Sequence, residues 1–185
     1  MTPALEAAYA QPHRRYHTRV HIEDCLGKLA AVGGLSARDR RILEYALWWH
    51  DAIYDPTRGD NEDLSADMAS RDLAAQGEDA AAIADVDRLI RLTKGHTVSA
   101  ADRLGALMVS IDLSILGAPP AAYDAYSAQV REEYAHVPEA EFRAGRRAVL
   151  EGFLKAPILF PDAAFAAQYD AQARANLRRE IERLA

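Results

Sequence analysis

Imidazole and carboxylate groups crowd into a few short stretches of this sequence. His50 and Asp51 stand side by side in "WWHDAIYDP", where an apolar helical run is about to stop at Pro56. Adjacent helical residues project about 100° apart, yet an imidazole and a carboxylate so placed can still converge on one ion beside the helix end. Upstream, "PHRRYHTRVHI" spaces His13, His17 and His21 four residues apart, which puts all three on one stripe if the stretch is helical. Downstream, Asp112 sits in "MVSIDLSILG" with apolar residues on both sides. A carboxylate taken from water without a partner is costly, so Asp51 and Asp112 each call for a cation, a donor network or an open pocket. Taken singly, these features have ordinary readings: a basic solvated face, a satisfied core histidine, a capping or ion-paired acid. Together, a histidine from one helix, a His-Asp pair from a second and an acid from a third are the parts from which a helical bundle builds a metal centre.

The elements that must position these groups are helical. Alanine is abundant, β-branched residues are thinly spread and no run alternates with period two, so the class is all-α, a bundle of about seven to nine helices. One helix begins after the hydroxyl-to-acid cap of "SARD" at Ser36 and carries Leu43, Ala46, Leu47 and His50 on one face. "DPTRGDN" reads as a loop, and Asp60 or Asn61 caps the next helix, which Gly77 ends. A helix over about 80–93 leads to "TKGH" and leaves His96 at its exit. "SAAD" at 99–102 repeats the capping pattern and opens the apolar run "RLGALMVSIDLSILG". Three more helices follow, over roughly 119–135, 138–155 and 162–184, the last capped by Asp162. Its "RANLRREIERLA" end pairs opposite charges at helical spacing, as on a solvated face; a homodimer contact is the other reading.

Composition narrows the partners. The 185 residues, half of them hydrophobic, suit a single domain over 1–185. A net charge of −6 works against stable nucleic-acid or anionic-membrane binding and leaves small solutes as the expected partners. Cys25 is the only cysteine, so no internal disulfide ties the fold to an oxidising compartment. No basic start followed by an apolar core opens the sequence, and no stretch approaches the roughly 18 apolar residues of a membrane span. A cytoplasmic protein without membrane association is the expectation.

The ordered set "YAQPHRRYHTRVHI", "WWHDAIYDP" followed by "NEDLSA", "LTKGHT", "IDLSILG", "VREEY" and "GRRAVLEGFL" resembles the HD superfamily. Its signature is a His, a His-Asp pair and a distant Asp that bind metal in an all-helical fold. Within it the chain is similar to the predicted metal-dependent HD phosphohydrolases of bacteria, over nearly its whole length. The resemblance implies His21, His50, Asp51 and Asp112 as metal ligands, with Asp51 also handling the proton of a metal-activated water. It places His17 and His96 in supporting or phosphate-binding roles, and an acid is expected two residues before the last Asp, where this chain has Ser110.

Imidazole and carboxylate ligands without thiolate suit one divalent transition metal, Mn, Co, Ni, Zn or Fe, more than Mg. A second ion is less expected, since His96 is the only histidine between the His-Asp pair and Asp112. Glu62 is a further general acid or base candidate, or simply a first-turn acid at a helix N-terminus. Phosphate oxygens need positive partners, for which Arg14 and Lys94 are the leading candidates by sequence proximity, with Arg131 and Arg146 suggested by the resemblance alone. The expected activity is hydrolysis of a small phosphorylated metabolite or nucleotide. A di-iron oxygenase of the same fold and a non-catalytic metal- or nucleotide-sensing module are the alternatives.

Overall fold

The computed structural model describes residues 2–185 and contains, among them, nine α-helices, one 3₁₀ turn and no strand. They are α1 (Pro3–Tyr9), α2 (Arg19–Ala31), α3 (Ala37–Trp49), α4 (Asn61–Ala75), α5 (Ala80–Leu92), α6 (Arg103–Asp112), the 3₁₀ turn Leu113–Gly117, α7 (Pro120–Glu133), α8 (Glu139–Lys155) and α9 (Ala163–Arg183). The expected all-α bundle is what the chain forms. No single helix among the described residues is long and apolar enough to cross a membrane.

Helix α3 is central. Its N-terminus is capped by Ser36, whose side chain accepts from the Asp39 N–H, and its inner face buries Ile42, Leu43, Ala46, Leu47 and Trp49. It packs against α2, α4, α5 and α6. Val86, Leu89 and Ile90 are buried on the inner face of α5, as is Thr93 at its C-terminal cap. The helix supplying Asp112 is apolar almost throughout because it runs through this core: Leu107, Met108, Val109, Ser110 and Ile111 are all buried.

Several boundaries differ from the sequence expectation, each for a local reason. Residues 11–18 are not helical, so His13, His17 and His21 do not form a helical stripe. Pro12 lacks an N–H and biases Gln11 away from the α region. The N–H groups of Arg15, Tyr16 and His17 instead donate to the Glu133 carboxylate at 2.7, 2.8 and 3.0 Å. Helix α6 is capped by Asp102, which accepts from the Gly105 N–H, and not by Ser99. The apolar run after Arg103 tightens at Leu113 into the 3₁₀ turn. Asp60 occupies the cap position of α4 and accepts the Leu64 N–H on its carbonyl, but its side chain makes no cap bond, since the carboxylate pairs with Arg58. The charged end of α9 is only partly solvated: Asn176, Leu177 and Glu180 are buried, and Arg179 and Arg183 pair with Asp124 of α7.

The turn after Asp112 is held by α9. Asn176, fully buried, donates its amide to the Leu116 and Ala118 carbonyls at 2.9 Å each. Gly117 lies so close that a Cβ built there would stand 2.6 Å from the Tyr169 carbonyl oxygen and 2.6 Å from its Cβ. Backbone cannot yield as a side-chain tip can. Replacing Gly117 with Ala should therefore cost about 1–3 kcal/mol of stability through overpacking. Urea unfolding of the variant checks this; an unchanged midpoint would show that α9 and the turn can separate freely.

Candidate metal centre

Three helices bring the chemistry together. His21 comes from the first turn of α2, His50 is the C-terminal cap of α3, Asp51 follows it, and Asp112 ends α6. The His50 Nε2 lies 3.1 Å from Asp51 Oδ2 and 3.4 Å from Asp112 Oδ1. The His21 Nε2 lies 3.7 Å from Asp51 Oδ2, 3.3 Å from Asp112 Oδ1 and 3.3 Å from His50 Nε2. Metal–ligand bonds of about 2.0–2.2 Å place neighbouring donors of one ion about 3–3.5 Å apart, and all of these contacts but the 3.7 Å one fall in that range. His21, His50 and Asp51 form a group that can hold a metal ion.

The ring tautomers fit that use. His50 donates from Nδ1 to the Leu47 carbonyl at 2.9 Å, and the Tyr16 hydroxyl engages His21 Nδ1 at 3.0 Å. With Nδ1 as the donor in each ring, both Nε2 lone pairs point at one another and at two carboxylates. This is the orienting role a carbonyl or hydroxyl commonly plays behind a metal-binding histidine. A cation or shared protons must lie between them. Burial pulls the His50 imidazole towards neutrality, but attraction to Asp51 and Asp112 outweighs it and holds its pKa well above the ordinary value. Burial pushes both carboxyls up, yet His50 and its neighbours hold Asp51 down, and bonds from His21, His50 and His96 hold Asp112 down. The cluster is thus a pocket of lone pairs that competes for positive charge.

Three of the four donor residues line a cavity of about 700 Å³. His50, Asp51 and Asp112 line it together with His17, Glu62, Lys94, His96 and Arg146, while His21 is buried behind them. His96 is the sole non-glycine residue with positive φ among those described, at 53°. That left-handed conformation, more usual for Gly after a helix, brings its Nε2 to 3.5 Å from Asp112 Oδ2.

Other assignments change. Arg14 does not line the cavity: it is 3% exposed and donates to the carbonyls of His17, Asp51 and Ala52 at 2.9, 2.7 and 2.9 Å, fastening the end of α3 to the histidine loop. Its donors have no freedom to bind a phosphate. Arg131 is likewise off the cavity, clamping the Tyr134 and Val137 carbonyls and Glu139. Arg146 reaches the cavity but is bound to the buried Glu180 at 2.9 Å. Lys94 lies at the rim with its ammonium on Asp63 at 2.7 Å. His13 bonds the Tyr54 carbonyl at 2.8 Å, away from the donor cluster. Ser110, in the position expected to be acidic, accepts from the Asp162 N–H at 3.0 Å and so ties α6 to the start of α9.

Two supports were not singled out in the sequence. Glu133, buried at the end of α7, takes His17 Nδ1 at 2.7 Å and the Tyr54 hydroxyl at 2.9 Å besides its three backbone donors. Tyr16 spans the gap between His21 and α7, its ring 4.6 Å from that of Tyr126. An acid one residue from a helix end gives no sequence signal of burial; only "VREEY" beside the histidine loop, seen in three dimensions, explains it.

No protein-family model, curated protein or solved structure matches the chain.

Two outcomes follow for stability. Burial raises the Glu133 pKa, but its bonds to His17 and to the backbone outweigh this and bring it from 4.5 down to about 2. A depressed folded-state pKa means that the stabilisation is complete above the unfolded value and is lost as pH falls from about 4.5 to about 2. Glu133→Gln should lose about 1–3 kcal/mol at pH 7 and show a shallower decline across that window, read from urea midpoints at several pH values. At His96, Gly should be more stable than Ala by about 1 kcal/mol in metal-free protein, because only Gly adopts the left-handed conformation without strain. Equal thermal midpoints for the two variants would argue against stored strain.

Proposed function

We propose that the chain is a metal-dependent phosphohydrolase that cleaves a phosphate ester or anhydride of a small metabolite or nucleotide. The observation carrying this reading is the convergence of His21, His50, Asp51 and Asp112, the last three of them lining a cavity of metabolite size. Two imidazoles and two carboxylates suit one divalent ion among Mn, Fe, Co, Ni and Zn, with Asp112 as the fourth ligand. Such an ion supplies an acidified water and polarises a phosphoryl oxygen.

The chain's own groups provide the rest. Asp51 faces the cavity and is the ligand carboxylate placed to take a proton from attacking water. Glu62, on the cavity wall in the first turn of α4, is a second proton acceptor or donor. His17 is fixed through Nδ1 on Glu133 and stacked on Tyr54 at 4.1 Å, which leaves Nε2 for a phosphoryl oxygen or the leaving oxygen. Lys94 and His96 stand on the same wall and complete the phosphate's surroundings.

An oxygen-activating di-iron centre competes with this reading, and one contact favours it. Asp112 turns Oδ1 to His21 and His50 and Oδ2 to His96, as a carboxylate bridging two ions would. Such a centre would need His17 and His96 as further ligands, and the Nδ1 bond of His17 to Glu133 leaves its Nε2 open for that as well as for a phosphoryl oxygen. Metal analysis with parallel assays of phosphate release and oxygen uptake separates the two. About one equivalent of transition metal and phosphate release from some member of a broad phosphoester panel are expected. Two irons with oxygen consumption, or a metal-loaded protein inert towards every ester, would overturn the hydrolase reading. Asp112→Ala should lose both metal and activity with helical circular dichroism unchanged; full metal occupancy in that variant would remove Asp112 from the site.

A further inference from the structure

Resting on that hydrolase reading for the phosphoryl end, we infer that the substrate is a monophosphate carried on an apolar, planar body, not a polyphosphate. A phosphoryl group fills only a small part of a cavity of about 700 Å³, which lies in the range of about 300–1,000 Å³ that encloses whole small molecules. The remainder is walled by Tyr126, Val130 and Tyr134 of α7 and Phe142, Val149 and Phe153 of α8. Val149 is 53% exposed, one of three large apolar side chains so open among the described residues, and it lies on this wall. The rings are held in place before any ligand arrives. Phe142 lies 6.1 Å from Tyr134 and carries the Arg131 guanidinium 4.5 Å over its centroid, and Phe153 packs on His96 at 5.7 Å. Pre-fixed aromatic faces reward a flat apolar ligand, because little side-chain entropy is left to lose on binding.

Charge bounds the number of phosphates. Among the described residues every basic side chain on the wall outside the donor cluster already faces an acid. Arg58 pairs with Asp60, Lys94 with Asp63, Arg146 with Glu180, His17 with Glu133 and His96 with Asp112. Glu62 and Glu141, in contrast, line the cavity with no basic partner within ion-pair distance. A divalent ion held by Asp51 and Asp112 would have its charge balanced by them yet keep open positions for one phosphoryl group, while a second phosphate further out would find no unpaired cation and would meet carboxylates.

Non-hydrolysable phosphonates test this without requiring turnover. Calorimetric titration of the metal-loaded protein should show phenylphosphonate binding at least about tenfold tighter than methylphosphonate, the size of difference one buried ring can supply. Val149→Ser and Phe142→Ser should each reduce that ratio while leaving metal content and methylphosphonate affinity unchanged. A nucleoside diphosphonate should bind no tighter than the corresponding monophosphonate, and Glu141→Gln should shift that comparison towards the diphosphonate. Equal affinity for phenyl- and methylphosphonate, or no binding of either, overturns the ligand class even if esters are hydrolysed. The expected ratio in a protein that hydrolyses no phosphoester supports the ligand class and removes the hydrolase reading alone.

Discussion

The constraint on which this molecule turns is that the Nε2 atoms of His21 and His50, themselves nearly closed to water, lie within 3.7 Å of each other and of carboxylate oxygens of Asp51 and Asp112. Nothing about helix packing favours that arrangement. Lone pairs repel, and both imidazole side chains are at most 3% exposed, so solvent does little to relieve them. Positive charge has to be brought in, and the cluster persists because the scaffold fixes its members before that charge arrives. The energy of such a site is borrowed from its surroundings, which is why its supports are as specific as its ligands.

Those supports are buried polar groups that each fasten one loop or turn. Arg14 joins the histidine loop to the end of α3, Glu133 joins the same loop to α7, and Asn176 joins the turn beyond Asp112 to α9. The Glu180 carboxylate gathers Arg146, Tyr123 and Ser127, locking α7, α8 and α9 together. In each case the buried group finds several hydrogen-bond partners, so the polar groups specify geometry as well as staying solvated by the protein. Ser110 belongs to the same set: a small hydroxyl at that place lets α9 begin against α6, where a longer acid would have to find room and a counter-charge.

Much of this was legible in the chain. Helix periodicity and the caps at Ser36 and Asp162 place the bundle, and the out-of-place acids Asp51 and Asp112 mark the cluster because apolar neighbours make an isolated carboxylate expensive. What could not be read was which arginine faces inward and to what end. Arg14 and Lys94 look alike as basic residues near histidines, yet one is a buried strut and the other a rim ion pair, a difference set by contacts 37 and 31 residues away. The regular spacing of His13, His17 and His21 suggested a helix, but a carboxylate from α7 captured the backbone donors that a helix would have used. Local pattern cannot foresee a competitor that arrives from 116 residues downstream.

That capture has a consequence for how the chain reaches its native state. The segment bearing His17 has neither helix nor ladder of its own, and its shape is supplied by a side chain more than half the sequence away. Closing so large a loop is entropically slow, and local collapse of the first six helices cannot substitute for it. The loop beside the donor cluster can therefore take this shape only with α7 in place, and a chain lacking its C-terminal third would carry His21, His50, Asp51 and Asp112 without the clasp that shapes that loop.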